Sequence, residues 1–254
     1  MNEPQFNSGA IDASGCISNG WEMIKPNYWL YFGVSIVSLL LISCIPCVNI
    51  FIAGPVMGGI YFIYLKAMRN EPVDFGMMFK GFEKFVPLMV VGLVQSIPEV
   101  IAQVFRFSVD IGRLGLTNGG RQIGDAEFAI ASGVMIVAVL VGLVFVVIAA
   151  VWRVLLMFAV PLIVEYNLSP VDAMKLSARA AISNVGGLIL LLILQFLIAL
   201  LGFVAICVGF FFVLPLIYAA NAFAYRQVFP WIENNFQNTP PPPGSYDVNF
   251  GRGM

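Results

Sequence analysis

The chain has 254 residues, 60% of them hydrophobic and only 11% charged, with a mean hydropathy of +0.91; soluble domains carry roughly 25% charged residues, so much of this surface must face lipid. The formal net charge of −1 provides no basic field for nucleic acid. The sequence contains no histidine, which excludes Ser-His and Cys-His nucleophile pairs and removes the commonest general base and metal ligand.

The N-terminal region, residues 1–24, contains no Lys or Arg and no apolar signal segment. This predicts that the first membrane helix serves as an uncleaved insertion signal. We expect residues 1–9 to be disordered, residues 10–230 to form a six-span membrane domain, and the Pro-rich residues 231–254 to form a disordered cytoplasmic tail.

Four apolar runs predict six membrane helices, because a helix needs about 20 apolar residues to cross a hydrocarbon core roughly 30 Å thick. The first run, 27–68, is split by the turn sequence CIPCVN, and the last run, 184–225, is split near 202–209. The third run, 128–164, would make a helix of about 55 Å, and we interpret it as one span whose end projects past the membrane to Pro161. The predicted spans are 27–45, 50–68, 85–107, 130–156, 184–203 and 206–227.

Lys and Arg in the loops predict the orientation, because cytoplasmic loops carry an excess of these residues. With the N-terminus inside, the inside segments hold nine of the thirteen Lys and Arg residues. The outside segments hold Arg106, Arg113 and Arg121, and Arg153 lies within a span. This distribution predicts a multi-pass protein of the cytoplasmic membrane with both termini in the cytoplasm.

Similar phrases recur before the apolar runs. GWEMIKP (20–26) and GFEKFVP (81–87) share glycine, an aromatic residue, glutamate and proline. Two segments that start at Glu71 and Ser169 share Pro-Val-Asp and then lead into a span. Proline suits the first helical position, and Ser169 with Asp172 forms a Ser-x-x-Asp capping box. These segments predict short amphipathic helices on the cytoplasmic surface, here named pre-span helices, each followed by two spans.

We therefore interpret the chain as an all-α transmembrane bundle of three repeated units, at 10–68, 71–164 and 169–228. The alternative interpretation is that amphipathic helices before spans are common and that short matches arise by chance. Aromatic and basic side chains are expected to anchor the pre-span helices in the headgroup layer. These interfacial anchors are Trp21, Phe82, Lys84, Lys175 and Arg179.

Three segments carry a family resemblance: GPVMGGIYFIYLKAMRNEPVDFGMMFKGF, PLIVEYNLSPVDAMKLSARAAISN and LPLIYAANAFAYRQ. With the first pre-span helix they resemble a broad set of prokaryotic six-span proteins of unknown function. This set includes the YciC-like and DUF975-like proteins and the membrane domain attached to some glycerophosphodiester phosphodiesterases. The resemblance covers roughly residues 10–230 and implies a polytopic helical bundle in the cytoplasmic membrane. It supplies no catalytic residues, and the phosphodiesterase domain of some relatives uses histidine, which this chain lacks.

Polar groups within a span are costly and indicate functional sites. Arg153, late in the fourth predicted span, is a candidate counter-ion or substrate contact inside the bundle; alternatively it lies near the inner interface and snorkels to water or lipid phosphate. From Pro98 onward, polar residues recur at steps of four and three, which places them on one narrow stripe of a helix. The stripe consists of Glu99, Gln103, Arg106, Asp110 and Arg113. It lines a cavity near the outer face, or it belongs to an interfacial helix whose charges face water.

Cys44 and Cys47 have the Cys-x-x-Cys spacing of redox and metal sites. Without a second pair or a histidine the spacing does not complete a zinc site, and an inert turn is favoured over a redox-labile disulfide. We therefore expect no metal, no cofactor and no catalytic residue. Gly54 and Gly58 have the spacing of closely packed membrane helices.

The sequence favours an integral membrane protein without catalytic activity, in a structural or regulatory role that organises lipid or binds a partner. The expected partners are the lipid bilayer and a second membrane protein or a second copy of the chain. The alternative is a transporter of small molecules or lipids that uses Arg153 and the stripe as its polar path. Convergence of these side chains on an enclosed cavity favours transport. Transport is excluded if Arg153 faces headgroups and Leu, Val and Phe fill the centre.

Overall fold

The computed structural model describes residues 4–44, 49–117, 125–205 and 209–230. Within these residues the chain is an all-α helical bundle, as predicted, and contains no strand. The α-helices are α1 (Ala13–Ile24), α2 (Tyr28–Cys44), α3 (Asn49–Ala67), α4 (Phe85–Gln95), α5 (Ile97–Thr117), α6 (Asp125–Leu155), α7 (Ala159–Tyr166), α8 (Pro170–Ser183), α9 (Val185–Ala205) and α10 (Gly209–Val228). A 3₁₀ helix, Lys25–Asn27, links α1 to α2, and a second, Phe75–Lys84, precedes α4. The predicted CIPC turn and the Pro-rich tail lie outside the described residues.

The apolar helices agree with a multi-pass membrane protein. Five helices of the described chain are long and apolar enough to cross a membrane, or six if a bent pair counts as one span. Helices α2, α3, α9 and α10 fall on four of the predicted spans. The count of six spans and the side on which the termini lie stay predictions.

One predicted span, and the projecting end of another, are broken where the sequence predicts continuous helices. The span predicted at 85–107 is divided into α4 and α5, and the chain bends there by 46°. The third apolar run does not continue as one helix to Pro161, because α6 ends at Leu155. The Ser177 hydroxyl accepts a hydrogen bond from the Phe158 N–H at 3.1 Å and donates one to the Leu155 C=O at 2.7 Å. A side chain inserted between helical donor and acceptor in this way interrupts the helix.

The three predicted pre-span helices are present as α1, the 3₁₀ helix Phe75–Lys84 and α8. The predicted cap of α8 forms, since the Ser169 hydroxyl accepts from the Asp172 N–H at 3.2 Å and donates to Asp172 Oδ2 at 2.6 Å. The second pre-span helix has 3₁₀ rather than α geometry.

Helix α1 packs lengthwise along α10, whereas the sequence predicts a helix on the membrane surface. Just before α1, the Asp12 N–H donates to Gln227 Oε1 at 2.8 Å. Just after α1, the Tyr28 hydroxyl donates to the Phe212 C=O at 2.6 Å. The two segments therefore run antiparallel. Helix α1 packs on α10 because one face of α1 is buried against a helix and does not lie on a lipid surface. This face consists of Ala13, Cys16, Gly20 and Ile24.

Each pre-span helix packs against the last span of another predicted unit. Helix α1 packs on α10, the 3₁₀ helix Phe75–Lys84 packs on α3, and α8 packs on α6 and α7. The described residues with a left-handed φ are Gly9, Asn70 and Asn167, and each stands shortly before a pre-span helix. The same turn and the same order of contacts thus occur three times. This supports the three units, and the repeat itself stays a prediction.

The segment before α1 is fixed to the bundle, although the sequence predicts disorder for residues 1–9. The Asn7 N–H donates to the Val228 C=O at 2.9 Å. The Asn184 side chain accepts from the Ala10 N–H and donates to the Asn7 C=O, both at 2.9 Å. A distant side chain therefore supplies the hydrogen-bond partners of this short segment. The composition of the segment does not reveal these partners.

A substitution at Gly81 tests the contact between the second pre-span helix and α3. A Cβ at position 81 would overlap backbone atoms of Pro55 and Gly59. Backbone atoms in the middle of a span have little room to move, so we expect Gly81→Ala to lower the free energy of unfolding by about 2 kcal/mol. Thermal unfolding in detergent measures the change. Gly142→Ala is the control, because a Cβ there meets nothing within 4 Å. Equal shifts for both variants would contradict the contact.

Candidate functional site

Two helix breaks lie side by side in the second predicted unit, and polar side chains join them. The Trp152 indole N–H donates to the Val94 C=O at 2.9 Å. The Gln95 amide donates to the Leu156 C=O at 2.8 Å. The Leu156 C=O also accepts from the Ala159 N–H at 3.2 Å, so the Gln95 amide is a second donor to it. Carbonyl groups near helix ends have fewer helical partners and lipid offers none, so side-chain donors are favoured at these breaks. Residues 94–99 and 152–156 are together named the double break.

An ion pair lies at the edge of the double break. Arg153 Nε and Nη2 each lie 2.9 Å from Glu99 Oε1. The side chains of Arg153 and Glu99 are 71% and 42% exposed, so the pair lies on the lateral surface of the bundle rather than in its core. The other carboxylate oxygen, Glu99 Oε2, is enclosed and has no hydrogen-bond partner among the described residues. The structure thus brings together two residues of the predicted polar path.

The other residues of the predicted path follow along α5. Gln103 and Arg106 are exposed, and the side chains of Asp110 and Arg113 lie outside the described part of the structure. Two cavities within the described residues, of about 390 and 40 Å³, are lined by other residues. The path residues therefore line neither of these cavities.

Among the predicted interfacial anchors, Lys84 is used within the protein. Its ammonium donates to the Ile163 C=O at 3.1 Å and to the Val164 C=O at 2.6 Å, near the end of α7. Basic side chains near a helix C-terminus satisfy such carbonyl groups. The remaining anchors are exposed or half-buried on the pre-span helices: Trp21, Phe82, Lys175 and Arg179.

A second polar cluster, which the sequence analysis misses, joins three segments of the chain. Glu165, at the end of α7, is only 9% exposed. Its Oε1 lies 2.8 Å from Arg69 Nη2 and 2.9 Å from Arg226 Nη2. Its Oε2 accepts a hydrogen bond from the Tyr225 hydroxyl at 2.7 Å. These four residues are named the Glu165 cluster, and they connect the link after α3 with α7 and α10.

The sequence contains only weak signals for this cluster. Arg226 follows Pro215 by eleven residues, as Lys66 follows Pro55. Glu165 is the first acidic residue after the apolar run 128–164. A charged residue at the end of such a run normally faces water, so this pattern does not indicate burial.

The Arg153–Glu99 pair and the Glu165 cluster are both built from paired charges. No group of His, Cys, Asp and Glu in the described residues is arranged to hold a metal ion. Comparison with protein-family models, with curated proteins and with solved structures gives no significant match. The family resemblance therefore stays a prediction.

Glu165→Gln tests whether the Glu165 cluster holds the bundle together. The amide removes the charge that Arg69 and Arg226 share at a nearly buried position, so we expect the free energy of unfolding to fall by about 3 kcal/mol. Thermal unfolding in detergent measures it. The matched control is Glu83→Gln, because Glu83 pairs with Lys80 on the surface and such pairs contribute at most about 1 kcal/mol. If both variants unfold at the same temperature, the cluster does not stabilise the bundle.

Proposed function

We propose that this chain is a non-enzymatic protein of the cytoplasmic membrane that binds a partner within the bilayer, in a structural or regulatory role. Both termini lie in the cytoplasm, and the fold is that of the six-span family which the sequence resembles. The observation that carries the proposal is the Arg153–Glu99 pair on the lateral surface of the bundle.

The packing of the centre favours this proposal over transport. The described core is filled by large apolar side chains, among them Ile60, Leu88, Val91, Phe158 and Leu162. The residues of the polar path line neither of the two cavities of about 390 and 40 Å³. A transporter needs a polar route through the bundle, and the described core offers packed side chains in that place.

The depth of the Arg153–Glu99 pair explains why it needs a partner. Arg153 precedes Glu165 by twelve residues across the break between α6 and α7, which corresponds to at most about 18 Å at a rise of about 1.5 Å per residue. With Glu165 at the predicted inner interface, the pair lies up to about halfway across a core of roughly 30 Å. Each charged group at such a depth costs about 3 kcal/mol on insertion scales. A partner helix with a polar side chain would cover the pair, which lipid chains cannot do.

The surface around the pair is large enough to take a helix. Helix α6 exposes apolar side chains on successive turns, including Val137, Leu140, Val144, Val147 and Val151. Helices α5 and α6 are together named the arm. Lipid alone can cover apolar side chains, but a polar contact at the base of the arm gives a partner helix a specific site.

A photo-crosslinking amino acid at Val147 tests binding by the arm. Val147 is exposed and lies within two turns of Arg153, so we expect a covalent adduct in cells with a membrane protein or with a second copy of the chain. Mass spectrometry of the adduct identifies which of the two it is. Arg153→Gln should lower the yield about tenfold, as expected for the loss of a contact of about 1.4 kcal/mol.

The control position for this experiment is Leu201 on α9, which is also exposed. The same probe at Leu201 should not give the adduct. Partner binding by the arm is wrong if Val147 reacts with lipid alone, or if Arg153→Gln leaves the yield unchanged.

Transport is the second candidate, and the double break favours it, because broken helices form the substrate sites of many transporters. Single cysteines separate the two candidates in a chain whose four native cysteines are replaced by alanine. We expect a membrane-impermeant maleimide to label Arg121→Cys only from outside and Lys80→Cys only from inside. Transport requires that Gln103→Cys be labelled from both sides, and partner binding predicts no access from inside. Labelling of Lys80→Cys from outside would overturn the topology.

A further inference from the structure

Helices α1 and α9 both pack on α10 and reach the same level of it. Gly20 of α1 lies against Ala219 and Ala220 of α10, where a Cβ on Gly20 would be 3.2 Å from the Ala219 Cβ. The Gln195 amide of α9 donates to Asn221 Oδ1 of α10 at 2.7 Å. These residues of α10 lie within one helical turn. The middle of α1 and the middle of α9 are therefore side by side with the same part of a predicted span.

The outward faces of α1 and α9 have opposite character at this level. Helix α9 exposes large apolar side chains, including Ile193 at 51% and Phe196 at 67%. Lipid suits such a face. Helix α1 exposes hydroxyl, amide and charged groups, for which lipid offers no hydrogen-bond partner. This surface is named the α1 polar face, and its exposed residues are Ser14, Ser18, Asn19, Glu22 and Lys25.

The α1 polar face is open to the side of the bundle. Helices α10 and α9 pack on α1, and its buried residues, among them Cys16 and Gly20, lie on the opposite face. The cavity of about 390 Å³ reaches the polar face only at Glu22. In a membrane protein, polar groups at span depth are covered by protein or line a water-filled cavity. Because no helix of the described chain encloses this face, a protein surface from outside the chain is the favoured cover.

The charges of the face indicate what kind of protein covers it. Glu22 Oε1 lies 3.8 Å from Lys25 Nζ, and the two side chains are 66% and 60% exposed. The face thus carries one charge of each sign and no net charge. A strongly acidic or strongly basic partner would repel one of the two. A second copy presents the same two charges, and a two-fold axis brings opposite charges together.

We propose that two copies of this chain associate through the α1 polar face, around a two-fold axis along the membrane normal. The two α1 helices then run parallel, and Glu22 of each copy pairs with Lys25 of the other. The short side chains of Ser14 and Ser18 permit close approach, and their hydroxyls and the Asn19 amide supply hydrogen bonds between the helices. This inference goes beyond partner binding by the arm, because it uses another surface and commits to another copy of the chain.

Cysteine cross-linking in isolated membranes tests the proposal. The four native cysteines are replaced by alanine, and one cysteine is introduced at a time. We expect Ser18→Cys to give a disulfide-linked dimer with copper phenanthroline, because position 18 of both copies lies near the axis and a disulfide needs such proximity. Phe196→Cys is the matched control, since it is exposed at the same level of α10 on the lipid side. It should stay monomeric.

Three results of this experiment would overturn the proposal. Ser18→Cys remains monomeric, or it forms a disulfide with a different protein, or Phe196→Cys gives as much dimer as Ser18→Cys. If a monomeric Ser18→Cys chain reacts with a membrane-impermeant maleimide, the α1 polar face meets water instead of a second copy.

Charge variants test the pairing across the axis. Energy transfer between labelled copies in liposomes measures the affinity of the dimer. Glu22→Lys gives the face two positive charges and Lys25→Glu gives it two negative charges, so each variant should associate with itself at least about tenfold more weakly. A mixture of the two variants should associate at least as tightly as the unaltered chain, which also shows that both variants fold. The proposal is wrong if the mixture associates no better than either variant alone.

Two controls separate this contact from other surfaces. Glu83→Lys alters a similar exposed pair, with Lys80 on the second pre-span helix, and should leave the affinity of the dimer unchanged. Arg153→Gln should leave the Ser18→Cys disulfide unchanged, so a failure of partner binding by the arm is distinguishable from a failure of this dimer. Loss of the disulfide in Arg153→Gln would place the contact at the arm and overturn the proposal.

Discussion

The carboxylate of Glu165 fixes the relation between helices that apolar contacts alone leave undetermined. In lipid, helices gain no hydrophobic energy from meeting one another, so polar joints and close packing decide how they associate. A nearly buried carboxylate is costly unless charged and polar partners surround it. Two arginines and a tyrosine meet this requirement. They come from the link after α3 and from α10, so satisfying one charge sets the positions of both segments around α7.

Close backbone contact is the second constraint on the same helices. The spacing of Gly54 and Gly58 predicts it, and the structure places Gly54 beside Gly92 and Gly58 beside Leu88. The contact also includes Gly81, which lies against the backbone of α3 at Pro55 and Gly59. Small residues permit this approach because dispersion contacts form along the whole crossing. The glycine shared by GWEMIKP and GFEKFVP therefore has a packing role, with Gly20 lying against α10 as Gly81 lies against α3.

The sequence predicts most helices because an apolar run of suitable length has few other solutions in lipid. It does not predict interruptions that depend on distant partners. The break between α6 and α7 contains the hydroxyl of Ser177, which lies on another helix. Burial of Glu165 likewise depends on Arg69 and Arg226, which are far away in the chain.

The periodicity of apolar residues along a helix likewise does not reveal contacts with distant parts of the chain. The inward face of α1 was recognisable as amphipathic, but periodicity does not reveal whether such a face meets lipid or another helix. The structure shows that it meets α10. Glu99 and Arg153 were both predicted as parts of a polar path. Their direct pairing follows only from the fold, since 54 residues separate them.

Stability does not explain why Arg153 and Glu99 lie together on the lateral surface. Replacing a poorly solvated ion pair by apolar side chains of similar volume is often neutral or stabilising, and leucine at both positions would suit lipid better than two charges. Nor is the pair needed to hold the two breaks together, because the Trp152 and Gln95 hydrogen bonds already join the end of α4 to the end of α6 and to Leu156. The partner contact proposed above would account for the pair and for its exposure. The exposure of the pair favours a binding surface at the base of the arm over a purely structural salt bridge.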